Sequence, residues 1–257
     1  MTPPAGARGG RGSPIELRDP VVVEFPLRGE WAAVNTPAYK IPSHGTDQLG
    51  QRYAYDLVRI DARKGFHLHP AGPVRSYVIG GRTCECYGWG QPVHAAFDGE
   101  VVEATDGVPE RSWLHVVREL ALVLKTAFTF DPAKHGLEPV LGNHVIMRMD
   151  RIYALFAHLA PGSVAVEAGQ TVRTGDPIGR VGHTGNSTAP HLHFQLMDSP
   201  DLLHAGGIPC AFREYEVDRG GRWEMVERGI PRKTDRIRSV PEARPPDLGL
   251  RAQASSE

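Results

Sequence analysis

The sequence predicts a mainly β protein: an antiparallel sheet or sandwich crossed by a groove, with one helix inserted between strands. Three observations carry this: short β-branched runs, their punctuation by Gly and Pro, and a single stretch of helical apolar spacing. In chain order, strand-like runs occupy residues 20–25, 53–60, 99–104, 144–149 and 153–158. Residues 110–128 break the pattern, because Trp113, Val116, Val117, Leu120, Leu124 and Ala127 recur at helical spacing. Over residues 164–182, short apolar stretches broken by Gly169, Gly175 and Gly179 predict stacked hairpins.

The tails differ in composition. Residues 1–18 are rich in Gly, Pro and Arg with few apolar anchors, and residues 241–257 are similar, so both are expected to be disordered and without chemistry. Between them, one main domain over residues 19–240 with a core at 42–197 fits a chain of 257 residues that is 40% hydrophobic.

A net charge of −1 gives no electrostatic reason to expect nucleic acid or an anionic membrane surface as partner. No apolar run approaches the ~18 residues of a spanning helix, so membrane insertion is not expected. Residues 1–14 hold Gly, Pro and Arg where a signal peptide needs an apolar centre; the compartment stays open between cytoplasm and an unrecognised export route. Cys84, Cys86 and Cys210 are too few for a disulfide scaffold, and Cys84 and Cys86 are expected on one face of a strand rather than on a metal.

The stretch Pro190-His191-Leu192-His193-Phe194 is the most informative. Side chains repeat every two residues along a strand, so His191 and His193 emerge on one face. The turn-rich approach from Gly179 to Ala189 would deliver that strand to the rim of a groove, and a metal or acid/base site is expected there.

Four features together resemble peptidase family M23, the zinc metallopeptidases of the lysostaphin and LytM type: His44 with a following Asp, the segment 92–101, Gly142-Asn143-His144-Val145-Ile146 leading to Phe156-Ala157-His158-Leu159, and residues 182–194. The resemblance spans roughly residues 42–197. It implies a LytM-like fold of the duplicated hybrid-motif type, zinc held by His44, an Asp downstream of it and His193, and His158 with His191 as the catalytic pair. A tetrahedral zinc with three protein ligands keeps its fourth position for water or a scissile carbonyl.

The family's usual His-x-x-x-Asp is not kept: Asp47 follows His44 by three residues, and position 48 is Gln. Asp56, in the strand-like Tyr53-Ala54-Tyr55-Asp56-Leu57-Val58, is favoured as the ligand, with Asp47 the alternative. The segment 58–90 is longer than is common in the family and could shape the groove; its His67 and His69 sit in a loop-like setting and are not expected to bind metal. His94, His115, His135, His144, His183 and His204 are expected to be ordinary surface or hydrogen-bonded histidines, and of these His183 is the one expected to line the groove. Asn143 either positions substrate backbone or serves the turn after Gly142.

The resemblance implies a zinc endopeptidase acting on peptidoglycan peptides, in cross-bridge or stem, or on another small peptide. The competing expectation is a catalytically inactive M23-like module that binds substrate or activates another hydrolase. A carrier domain of lipoyl type would need a Lys at a hairpin tip, where Val145 to Asp150 presents Arg148.

Overall fold

The computed structural model describes residues 19–61, 67–72 and 79–240, so the two expected disordered tails lie outside the described residues. Strands β1 (Val21–Val23), β2 (Glu30–Asn35), β3 (Tyr55–Val58), β4 (Gly81–Arg82), β5 (Pro92–His94), β6 (Gly99–Thr105) and β7 (Trp113–Leu114) come first. Helices α1 (Val116–Thr129), α2 (Pro132–His135) and α3 (Glu138–Leu141) follow as one insertion. Then come β8 (Asn143–Met149), β9 (Ile152–Leu159), β10 (Thr171–Val172), β11 (Pro177–Arg180), β12 (Leu192–Met197), β13 (Gly207–Ile208), β14 (Cys210–Asp218), β15 (Trp223–Gly229) and β16 (Arg236–Arg238).

The protein is mostly β. Its main sheet runs β1-β14-β16-β2-β3-β12-β9-β8-β6-β10, with β13 added beside β12 and β15 beside β14. Among the described strands of this sheet only the β1–β14 pair is parallel, and short side ladders join β11 to β5 and β4 to β7.

Strand β12 lies at the centre of the site, and its sequence sorts by twos. Leu192, Phe194 and Leu196 enter the large core with Trp31, Leu57, Phe156 and Phe212. The intervening His193, Gln195 and Met197 face the other side, where Met197 packs with Leu155 and Ala157. Antiparallel pairing sets His193 opposite Asp56 on β3 and opposite Ala157 on β9.

Four expectations need correction. The helix starts at Val116 rather than near 110, because Trp113 and Leu114 pair with Arg82 and Gly81 as a ladder, and Trp113 Nε1 also donates to the Ile79 carbonyl at 3.2 Å. The hairpins expected over 164–182 do not pair with themselves: β10 joins β6 and β11 joins β5. Cys84 and Cys86 lie at a single 3₁₀ turn, Thr83–Glu85, with Cys84 exposed and Cys86 buried, rather than on a strand face. Strands β2, β14, β15 and β16 lie outside the runs singled out in the sequence, and they extend the sheet beyond β3.

Candidate active site

Five side chains from distant parts of the chain converge on one face of the β3-β12-β9 floor. His44 Nε2 lies 2.9 Å from Asp56 Oδ2, and His193 Nδ1 lies 3.0 Å from Asp56 Oδ1. The ligating atoms of His44, Asp56 and His193 all fall within 4.8 Å of one another. Donors on a tetrahedral zinc with bonds of ~2.0–2.1 Å stand about 3.3 Å apart, so the trio is of the right size.

Hydrogen-bond polarity gives an independent test of whether a cation fits. The Gln195 amide nitrogen donates to the Leu49 carbonyl at 2.7 Å, which turns its oxygen toward His193 Nε2 at 2.9 Å. An oxygen can only accept, so Nε2 carries the hydrogen and the neutral ring presents the Nδ1 lone pair to the Asp56 carboxylate. Two acceptors then face each other, an arrangement that a cation between them satisfies. On the other side, His44 Nδ1 lies 3.0 Å from Ser43 Oγ, and Asn35 Nδ2 donates to Asp56 Oδ2 at 2.6 Å. The residues present suit zinc: two imidazoles and one carboxylate, each with an outer partner that orients it.

Without a metal, protons take the cation's place: burial opposes ionisation of Asp56, but positive charge on His44 and His191 and hydrogen bonds from His191 and His193 outweigh it and hold the carboxyl well below the usual range. Asp47, by contrast, is exposed and makes a two-pronged ion pair with Arg52 at 2.7 Å. Of the two candidate acids, only Asp56 joins His44.

His158 and His191 flank the trio. Their rings stand 4.7 Å apart, and His158 is 5.8 Å from His193. His158 Nδ1 donates to the Thr184 carbonyl at 2.9 Å, and His191 Nδ1 donates to the Ala189 carbonyl at 2.7 Å. Each ring therefore keeps Nε2 as its acceptor. His191 Nε2 sits 3.3 Å from Asp56 Oδ1. Burial, then the neighbouring His191 and His193, push His158 well below its ordinary range; His191 is also penalised by burial, yet Asp56 raises it overall.

The end of β9 is shaped to hold His158. The residue adopts φ 64°, a left-handed conformation that costs a non-glycine roughly 1–2 kcal/mol, and it sits where the β8–β9 register shifts between Phe156 and Leu159. The loop after β11 compensates: Gly182 N donates to the His158 carbonyl at 2.9 Å, and Thr184 Oγ1 donates to the Leu159 carbonyl at 2.8 Å. A side chain at Gly182 would come within 2.4 Å of the Ala160 nitrogen, so only glycine permits this approach.

A groove of about 710 Å³ opens over the floor. Residues 40–51 form one wall, while Val123, Thr126, Phe130, Val140 and Leu141 of the inserted segment form the other. The expectation that segment 58–90 shapes the groove is not met by its described residues, none of which line it; residues 62–66 and 73–78 lie outside the described residues. His69 is buried against Glu85 at 3.3 Å, apart from the trio. His183 does not line the groove either: it is fully buried behind His191. Asn143 is also fully buried, and its amide is spent on Val108 and on the Leu159 carbonyl, so it braces the end of β9 rather than meeting substrate.

Sequence reasoning missed Asn35, Ser43, Thr184 and Ser187. Gln195 was within reach, because it follows His193 by two residues on the same strand face.

Residues 133–204 match Peptidase family M23. The chain is 26% identical over 166 residues to the peptidoglycan DD-endopeptidase ShyB of Vibrio cholerae, covering 62% of this chain and 30% of that protein. It is 46% identical over 104 residues to the DD-carboxypeptidase/endopeptidase Mpg of Neisseria meningitidis, covering 35% of this chain and 23% of that one. This chain thus spans less than a third of either relative. Among solved structures, the catalytic domain of lysostaphin from Staphylococcus simulans aligns at 18% identity with a TM-score of 0.34, covering 70% of this chain and 88% of that domain. The matched segment contains His158, His191 and His193, while His44 and Asp56 lie before it and are joined to it by the fold. Residues 133–204, set in a mostly β protein, are thus the part of the chain that matches peptidase family M23.

Proposed function

We propose that the protein is a zinc-dependent endopeptidase, with His44, Asp56 and His193 as metal ligands and His158 with His191 as the catalytic pair. The observation that carries this reading is the convergence of the trio within 4.8 Å beside two imidazoles whose Nε2 atoms are both acceptors. Bound zinc would supply a charge that acidifies water and polarises a carbonyl. The chain's own groups supply the rest. A neutral imidazole accepts a proton at Nε2 and can return it to a leaving amine, and the second imidazole, once protonated, donates a hydrogen bond to developing oxyanion charge. His158 and His191 share these two roles.

The groove receives an extended segment between residues 40–51 and the inserted helix. One wall carries the apolar Val123, Phe130, Val140 and Leu141, and the two relatives are named as a peptidoglycan DD-endopeptidase and a DD-carboxypeptidase/endopeptidase. The proposed substrate is therefore a peptidoglycan peptide, in stem or cross-bridge.

Digestion of purified peptidoglycan, followed by mass spectrometry of the released peptides, tests this. The expected outcome is new peptide termini formed with zinc, abolished by a chelator and restored by added zinc. Unchanged peptidoglycan with a zinc-loaded protein would instead support an inactive binding or hydrolase-activating module.

For the catalytic pair, His158→Ala and His191→Ala are each expected to keep zinc but lose about 10²- to 10⁴-fold in kcat. Loss of zinc from either variant would move that residue into the ligand set.

A further inference from the structure

A buried polar chain runs from the inserted helix to His191. Glu119 is fully buried on the inward side of α1, and its Oε2 accepts from Arg111 Nε at 2.7 Å. Arg111 can only donate. It donates to the Gly185 carbonyl at 3.0 Å, to the Ser187 carbonyl at 2.9 Å and to His183 Nε2 at 3.2 Å. Glu119 Oε2 lies farther from that same nitrogen, at 3.4 Å.

The direction of every later bond follows. With Nε2 accepting, a neutral His183 carries its hydrogen on Nδ1 and donates to Ser187 Oγ at 2.9 Å. Burial holds His183 below its ordinary range, in agreement with a neutral ring. Ser187 Oγ then sends its own hydrogen to the Ala189 carbonyl at 2.8 Å. The His191 Nδ1 hydrogen enters the same pair of acceptors, 2.7 Å from the Ala189 oxygen and 3.1 Å from Ser187 Oγ. With Arg111 donating to His183 Nε2, donors and acceptors match along the whole chain.

We propose that His183 is a positioning residue for His191, braced by Arg111 and Glu119: it holds Ser187 as a second acceptor beside the Ala189 carbonyl, so that the Nδ1–H ring of His191 keeps one orientation with Nε2 turned to the groove. This rests on the assignment of His191 to the catalytic pair. Removing the His183 donor leaves the Ser187 hydroxyl free to turn, so the His191 Nδ1 hydrogen keeps the Ala189 carbonyl but loses its second, fixed acceptor. His158 is anchored separately on Thr184, so the effect belongs to one of the two imidazoles.

The test compares wild type, His183→Phe and Ser187→Ala by ¹⁵N NMR of the imidazoles in metal-free protein, with kcat and KM measured on zinc-loaded protein. We expect His191 in the Nδ1–H form throughout, with a single sharp set of ring signals in wild type, shifted or broadened His191 signals in both variants, and unchanged His158 signals. We also expect kcat to fall about 10- to 100-fold with KM little changed. A folded variant with wild-type His191 ring signals and wild-type kcat overturns the proposal. If His183→Phe does not fold, Ser187→Ala carries the same two outcomes. The His191 signals are read without metal or substrate, so a protein that cleaves nothing sinks the peptidase reading and leaves this one to be decided by them.

Discussion

Strand β12 and helix α1 both border the groove, and they bury opposite kinds of side chain. On β12 the large apolar residues Phe194 and Leu196 go into the core, and the polar His193 and Gln195 line the floor. On α1 the apolar Val117, Leu120 and Leu124 are 63%, 53% and 52% exposed, while Glu119 is completely buried. The strand has no freedom to do otherwise. Its neighbours β3 and β9 fix the register, and a slip by one residue would turn every side chain to the wrong face. A helix packed on one side settles by what lies beneath it, and here that is the Arg111 guanidinium, which a carboxylate satisfies and a leucine does not.

The contrast can be broken in three places. The largest effect is expected on the floor itself: His193→Ala should abolish both zinc retention and peptide cleavage, whereas Asp47→Ala should change neither. Zinc analysis beside an activity assay checks both. Next come the outer partners of the ligands. Asn35→Ala and Gln195→Ala are each expected to weaken zinc affinity or activity about 10- to 100-fold, measured by competition with a chromophoric chelator. The smallest effects separate floor from helix by stability. Leu155→Ala, in the packed cluster under the groove, should cost about 2–5 kcal/mol in chemical denaturation, while Leu120→Gln on the outer face should stay within about 0.5 kcal/mol.

Glu119 adds a pH signature to the helix side. Burial penalises its charge, but His183 and Arg111 more than offset this and hold its carboxyl below the ordinary range. A carboxyl lowered in the folded state contributes stability above its unfolded pKa, and that contribution is lost as pH falls through the native value. Denaturation midpoints across acid pH should therefore fall less steeply in Glu119→Gln than in wild type. Parallel slopes would remove the Glu119–Arg111 pair from the account.

The same contrast explains what could be read from the sequence. The His191-x-His193 spacing, the strand before His158 and the strand context of Asp56 all follow a period of two that the sheet enforces, so those residues were legible. Helical spacing at 117, 120 and 124 located a helix but not its inward face, and the ladder at Trp113 moved its start. Asn35 and Ser43 reach the site only through tertiary pairing of β2 with β3 and through the turn at 43–52, for which no local pattern exists. His183 carried a local hint of proximity, but its burial depends on Arg111, ahead of the inserted helix, and on Glu119 within it, both far from His183 in sequence.

The most direct test of the central claim is a crystal of the zinc-soaked protein with diffraction recorded on both sides of the zinc absorption edge. The account expects a single anomalous peak within bonding distance, about 2.0–2.2 Å, of His44 Nε2, an Asp56 oxygen and His193 Nδ1, with His158 and His191 close by but not bound. A peak at Asp47 or His69, or a site between β3 and β12 without metal at saturating zinc, would contradict it.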